Sequence, residues 1–180
     1  TATTGMDNVP TIAETLAATK VTANEDLDTA YATYNSELYE VADYAAIGTY
    51  HTTGHTDIGN ASDLSEVATA LSTATTGMDN VPTIAETLAA AKVTAKGEVA
   101  TALSGYTAFE SSYTPANWII LNAFHTDGDD AIDGAADLDA VTTAKNVAIN
   151  GMDNVPTIAE TLAAAKVTAN EDLDTAYATY

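Results

Sequence analysis

The sequence has no cysteine and no arginine, one tryptophan and two phenylalanines in 180 residues. Without cysteine there is no disulfide to staple the fold, and neither thiol chemistry nor thiolate metal ligation is available. The five basic residues are all lysines, Lys20, Lys92, Lys96, Lys145 and Lys166, set against 26 acidic residues for a net charge of −21. Such a surface repels nucleic acid and anionic membranes, so neither is expected as a partner, and it attracts cations instead. No apolar run is long enough to insert in a membrane as a helix, and the opening Thr1-Ala2-Thr3-Thr4 is not a secretory leader.

What is present is apolar enough to fold, at 46% hydrophobic residues, with alanine dominant and nine tyrosines as the main aromatics. Small side chains favour thin cores and close helix–helix approach. The stronger signal is repetition. Gly-Met-Asp-Asn-Val-Pro-Thr-Ile-Ala-Glu-Thr-Leu-Ala-Ala begins at Gly5, Gly77 and Gly151, at spacings of 72 and 74 residues. Tyr34 answers to Tyr106; beyond a two-residue insertion Tyr39 answers to Tyr113, His51 to His125, Gly54 to Gly128 and Ile58 to Ile132. Residues 151–180 repeat 5–34 with one change, Thr19 to Ala165, and follow the first copy where the second differs. Two repeat types therefore alternate with a period of 146 residues. The expected organisation is the end of a preceding repeat at 1–10, a type A repeat at 11–82, a type B repeat at 83–156, and the first helix of a further type A repeat at 157–180. On this reading the chain is a window from a longer array.

Each repeat reads as three helices. The first opens with a capping box, Thr83 with Glu86, just after Pro82, and carries an apolar stripe of Ile84, Leu88, Ala91, Ala95, Val99, Ala102 and Tyr106. Its type A counterpart is Ile12, Leu16, Thr19, Ala23, Leu27, Ala30 and Tyr34. The second opens at Thr114-Pro115, with a stripe of Trp118, Leu121, His125, Gly128, Ile132 and Ala135, widened by Ile120 and Phe124. Tyr44, Ile47, His51, Gly54, Ile58 and Ala61 parallel it, and because the stripe keeps phase the helix is expected to continue through Gly54 and Gly128. The third begins at the cap Asp63/Glu66 and carries Leu64, Val67, Leu71, Ala74, Met78 and Val81. The expected fold class is all-α, a tandem array of Ala-rich three-helix bundles about 30 Å long.

Tyr113-Thr114-Pro115-Ala116-Asn117-Trp118-Ile119-Ile120-Leu121, with the spacing of Ala74, Met78 and Val81, resembles the FIVAR-type repeats of large bacterial cell-wall-attached and secreted proteins. The first copy departs from that pattern, with Tyr44 for Trp118 and no Thr-Pro. The resemblance implies three-helix modules with spacer, stalk or adhesive roles outside the cell and no catalytic residues.

His51 and His55 lie one helical turn apart, a spacing that can chelate zinc or nickel. The second copy keeps His125 but has Asp129 for His55, and a structural site needs about four ligands where two are in sight. Hydrogen-bonded boundary histidines are the preferred reading. The acidic run through Asp127, Asp129 and Asp130 suggests calcium but fails the spacing of a calcium loop, with Leu138 where the bidentate acid belongs. A solvated helix face is preferred, so no resident cofactor is expected, with loose calcium binding as the alternative for this run. The recurring Asp79-Asn80 (Asp7-Asn8, Asp153-Asn154) reads as a capped junction. Tyr39, Tyr113, Val21, Val93 and Val167 are the candidates for assembly or surface contact. No nucleophile–base arrangement or phosphate loop is found, so catalysis is not expected.

The expected function is a structural repeat segment of an extracellular or cell-surface fibre, stalk or filament, its partners being other copies of itself along or between chains. The alternative is an adhesin-type binding repeat recognising carbohydrate, cell wall, or a host or partner protein.

Overall fold

A threonine hydroxyl that accepts from a backbone amide three residues on, while a glutamate reaches back to the threonine's own N–H, starts the first helix of each repeat. This reciprocal bonding joins Thr11 to Glu14, Thr83 to Glu86 and Thr157 to Glu160. The computed structural model describes residues 10–179. The expected preceding repeat at 1–10, and with it Asp7-Asn8, therefore lies outside the described residues except for Pro10. Within them the chain is all-helical: α1 Ile12–Tyr31, α2 Val41–Asn60, α3 Leu64–Asp79, α4 Ile84–Thr107, α5 Pro115–Asp133, α6 Leu138–Asp153 and α7 Ile158–Ala178, with no strand among the described residues. No described helix is long and apolar enough to cross a membrane.

The chain divides into two compact units, the first ending at Thr87 and the second beginning at Leu88. This division falls inside the first turn of α4, a little beyond the junction expected after Pro82. In unit 1, α1, α2 and α3 each pack against the other two around Ala23, Leu27, Ile47, Ile58, Ala61, Val67, Ala74 and Met78. In unit 2, the core joins Ala95 and Val99 of α4 to Leu121 and Ile132 of α5 and to Val141, Ala148 and Met152 of α6. The two cores occupy the same repeat positions. Every described residue of α7 is exposed, although Leu173 and Ala169 repeat the buried Leu27 and Ala23 of α1.

α2 and α5 run unbroken through Gly54 and Gly128. Close approach is the reason glycine sits there. A Cβ on Gly54 would lie 2.6 Å from the Cβ of Ala74 and 2.7 Å from Leu27 Cδ2; on Gly128 it would lie 2.5 Å from the Cβ of Ala148. A side chain on Gly77 or Gly151 would likewise enter the ring of Tyr50 or Phe124.

Several stripe positions expected in the core are on the surface: Ile12, Ile84, Leu64 and Ile120 are all exposed. The first three open their helices, and a helical Cβ leans towards the N-terminus, so these side chains project past the ends of their packing partners. Ile120 sits beside Leu121, which takes the buried direction. The two-residue insertion is absorbed at one place. Short 3-10 turns, Ser36–Leu38 and Glu110–Ser112, are equivalent in the two units; ahead of the second, α4 runs on to Thr107 and adds Ala108 and the exposed Phe109.

Two polar ties repeat in both units. Lys20 Nζ donates to the Gly59 carbonyl at 2.8 Å and Lys92 Nζ to the Asp133 carbonyl at 2.9 Å, placing a cation at the C-terminal end of the second helix. The hydroxyl of Tyr34 donates to Asp79 and that of Tyr106 to Asp153, joining the end of the first helix to the end of the third.

Candidate metal centre

On α1, Asn24 and Asp28 are one turn apart; on α2, so are His51 and His55. The packing of the two helices brings all four side chains together. Asp28 Oδ1 lies 2.7 Å from His51 Nε2 and 2.8 Å from His55 Nε2, and the two Nε2 atoms are 3.1 Å apart. The other ring nitrogen of His55, Nδ1, is 2.7 Å from Asn24 Oδ1. The Tyr31 ring stacks on His51 with centroids 4.2 Å apart, and the His55 ring meets His51 edge-on. The histidines are half-buried while Asp28 is open to solvent. Hydrogen bonds from His51 first and His55 second hold the Asp28 carboxyl below its ordinary pKa. Among the described residues, Asp28, His51 and His55 are the one group of three or more metal-ligating side chains whose ligand atoms converge.

Unit 2 replaces this constellation. At the equivalent positions stand Lys96, Ala100, His125 and Asp129. His125 Nε2 is 4.0 Å from Asp129 Oδ2, and Lys96 pairs with Asp133 at 2.7 Å instead. The hydrogen bond to Asp133, with the neighbouring Asp129 and Asp130 charges, raises the Lys96 pKa. Asp129 Oδ1 is enclosed without a hydrogen-bond partner. The acidic run Asp127–Asp133 lies along α5, where helical spacing distributes the carboxylates around the axis: Asp127 is exposed and Asp129 partly buried.

The remaining candidate residues are placed as follows. Tyr39 and Tyr113 are half-buried in aromatic clusters within their own units, Tyr39 between Tyr34 and Tyr44 with centroids 6.2 and 6.4 Å away, Tyr113 between Tyr106 and Trp118 at 6.3 and 6.4 Å. Val21, Val93 and Val167 are exposed.

The spacing of one helix marks the histidine pair but not Asn24 and Asp28, which sit on another helix. The repeats carried a signal for them. Asn24 and Asp28 recur as Asn170 and Asp174 in the third copy, and the copy that lacks them also lacks the second histidine. The Tyr34–Asp79 and Tyr106–Asp153 locks were likewise visible only as residues recurring in step. No protein-family model matches the chain, and neither a curated protein nor a solved structure does.

Proposed function

We propose that the chain is a structural segment, built of three-helix bundles in tandem, of an extracellular or cell-surface fibre, stalk or filament without catalytic activity. One observation carries this reading: the two units bury the same repeat positions, Leu27 with Val99, Ile58 with Ile132, Ala74 with Ala148 and Met78 with Met152, while their exposed faces differ. Repetition that preserves the packing and lets the surface vary suits a part whose task is to hold length and shape. The resemblance of 113–121 to FIVAR-type repeats belongs to the same proposal, as does the location outside the cell.

The test is electron microscopy of the native material. An axial spacing set by the 146-residue period or half of it supports a filament, and isolated slender particles support a stalk. Compact particles would sink both. At the level of one repeat, residues 77–150 alone should melt well below the whole chain, because about 70 residues form a marginal core.

A second reading, an adhesin-type binding repeat, is favoured by a shallow cleft in unit 2. Tyr113 and Trp118 line it together with Glu110 and Ser111, offering ring faces and polar groups as a sugar site does. A glycan array without signal would remove this reading.

A further inference from the structure

We propose that Asp28, His51 and His55 bind one divalent ion of the zinc class, with Asn24 as the residue that orients His55. An imidazole nitrogen either carries one proton or offers one lone pair, and an ionised carboxylate oxygen only accepts. Asp28 Oδ1, His51 Nε2 and His55 Nε2 lie within 2.7–3.1 Å of one another in a closed triangle. If both Nε2 atoms donate to Asp28, both N–H groups point at its oxygen and the third side is a bare 3.1 Å contact between two nitrogens. If one histidine donates to the other, the acceptor's lone pair points at the Asp28 oxygen. Protonating Asp28 fills one side and leaves another without a hydrogen. No assignment places a hydrogen bond on all three sides, whereas a cation between the atoms would engage all three at once.

The surroundings fit that ion. Asn24 Oδ1 faces His55 Nδ1 and holds a proton there, so Nε2 is the nitrogen that gives its own proton to solvent when an ion binds. A hydrogen bond of this kind on the remote nitrogen is what fixes the tautomer and ring direction of a metal-bound histidine. Tetrahedral bonds of about 2.0–2.1 Å hold ligand atoms about 3.3 Å apart, so the sides of the triangle, now 2.7, 2.8 and 3.1 Å, would open by about half an ångström or less. Two imidazole nitrogens with one carboxylate oxygen suit zinc, nickel or copper, while calcium takes six to eight oxygens. Three protein ligands leave a fourth position to water, reached from the open side where Asp28 is exposed. The site belongs to the type A repeat alone, since unit 2 has Ala100 and Asp129 in place of Asp28 and His55. Asn24 and Asp28 recur as Asn170 and Asp174, so the α1 half of the set repeats at 146 residues.

Calorimetric titration of the 180-residue chain with zinc, in excess calcium to occupy the acidic surface, should give one saturable site per chain. His51→Gln/His55→Gln should abolish it, and Asp28→Ala should weaken it at least tenfold. In the unaltered chain, zinc should shift the ring resonances of His51 and His55 and leave those of His125 in place, a readout that needs no variant to fold. Absence of saturable binding, binding that survives the double histidine change, or equal shifts at His125 would each overturn the site.

Discussion

Where unit 1 places Asn24, Asp28, His51 and His55, unit 2 places Lys96, Ala100, His125 and Asp129, yet the apolar layer beneath is the same in both. The difference separates two kinds of constraint. Positions that fill space between helices admit only near-equivalents, Leu27 for Val99 or Ile47 for Leu121, because every neighbour is fitted to them. The seam just above the core needs only balanced charge, and balance has more than one solution. Unit 1 turns a carboxylate towards two imidazoles. Unit 2 gathers Asp129, Asp130 and Asp133 around the ammonium of Lys96. Fold is thus held in common, while the chemistry belongs to each unit.

The comparison breaks most severely if the shared core is not shared in energy. Met78 and Met152 are both fully buried. Truncation of either to alanine should destabilise its own unit by about 2–5 kcal/mol, the lost transfer energy plus the cavity left behind. Urea denaturation gives the size of the loss, and hydrogen exchange assigns it to a unit. Losses differing by more than about 2 kcal/mol would mean that the equivalent cores are not equally packed.

The glycine crossing sets two opposed effects against each other. Alanine in a helix interior is favoured over glycine by about 1 kcal/mol. At Gly97, where an added Cβ meets nothing within 4 Å, Gly97→Ala should show that gain in full. At Gly54 and Gly128 the new methyl would meet the Cβ of Ala74 or Ala148 at 2.6 or 2.5 Å. Those atoms are fixed to backbone and cannot swing aside, so overpacking of about 1–3 kcal/mol should outweigh the gain. Thermal melts of the three variants check the sign, which should be positive at Gly97 alone.

The local physics of the chain was the legible part. Thr11, Thr83 and Thr157 as caps, Pro115 at a first helical position and the spacing of Leu27, Ile47 and Met78 all act over a few residues, and each leads directly to an observed helix or buried side chain. His51 and His55 were visible as a pair for the same reason. Asp28 was not, because its place in the cluster depends on how α1 is rotated against α2, which no local pattern records. The exposed Ile12 and Leu64 show the complementary error: a stripe gives the direction of a side chain but not how far the partner helix extends. The 3-10 turns have too few residues to carry a period.

The tyrosine locks offer a sharper comparison, because the same bond stands in both units. Tyr106→Phe and Tyr34→Phe should each lose about 0.5–1.5 kcal/mol, an ordinary net value for one hydrogen bond. Burial first, then the bond to Asp153, pushes the Tyr106 pKa up to about 12, and the same causes raise Tyr34. A folded-state value above the unfolded value near 10 means that the contribution is complete below pH 10 and lost as pH rises through the folded value. Alkaline denaturation should therefore be less steep in the phenylalanine variants. An unchanged alkaline limb in both would show that the hydroxyls titrate alike in the folded and unfolded chain.

The smallest effect concerns ion pairs confined to unit 2. Lys96 with Asp133 and Lys145 with Glu98 both stand at 2.7 Å, whereas unit 1 has Asn24, Gly59, Leu71 and Asp26 at those positions. All of these groups keep contact with solvent, so salt should screen the pairs. Salt also screens the mutual repulsion of a chain carrying a net charge of −21, which stabilises both units. The second effect involves many more charges and should win, so added sodium chloride should raise the melting temperature of the whole chain. The pair term is isolated by a double-mutant cycle of Lys96→Gln and Asp133→Asn, in which the shared repulsion largely cancels. Its coupling should be small at low salt and vanish near 1 M. Coupling that persists there would mean that the pair is held by geometry rather than by charge, and would bring the seam of unit 2 closer in kind to the histidine seam of unit 1.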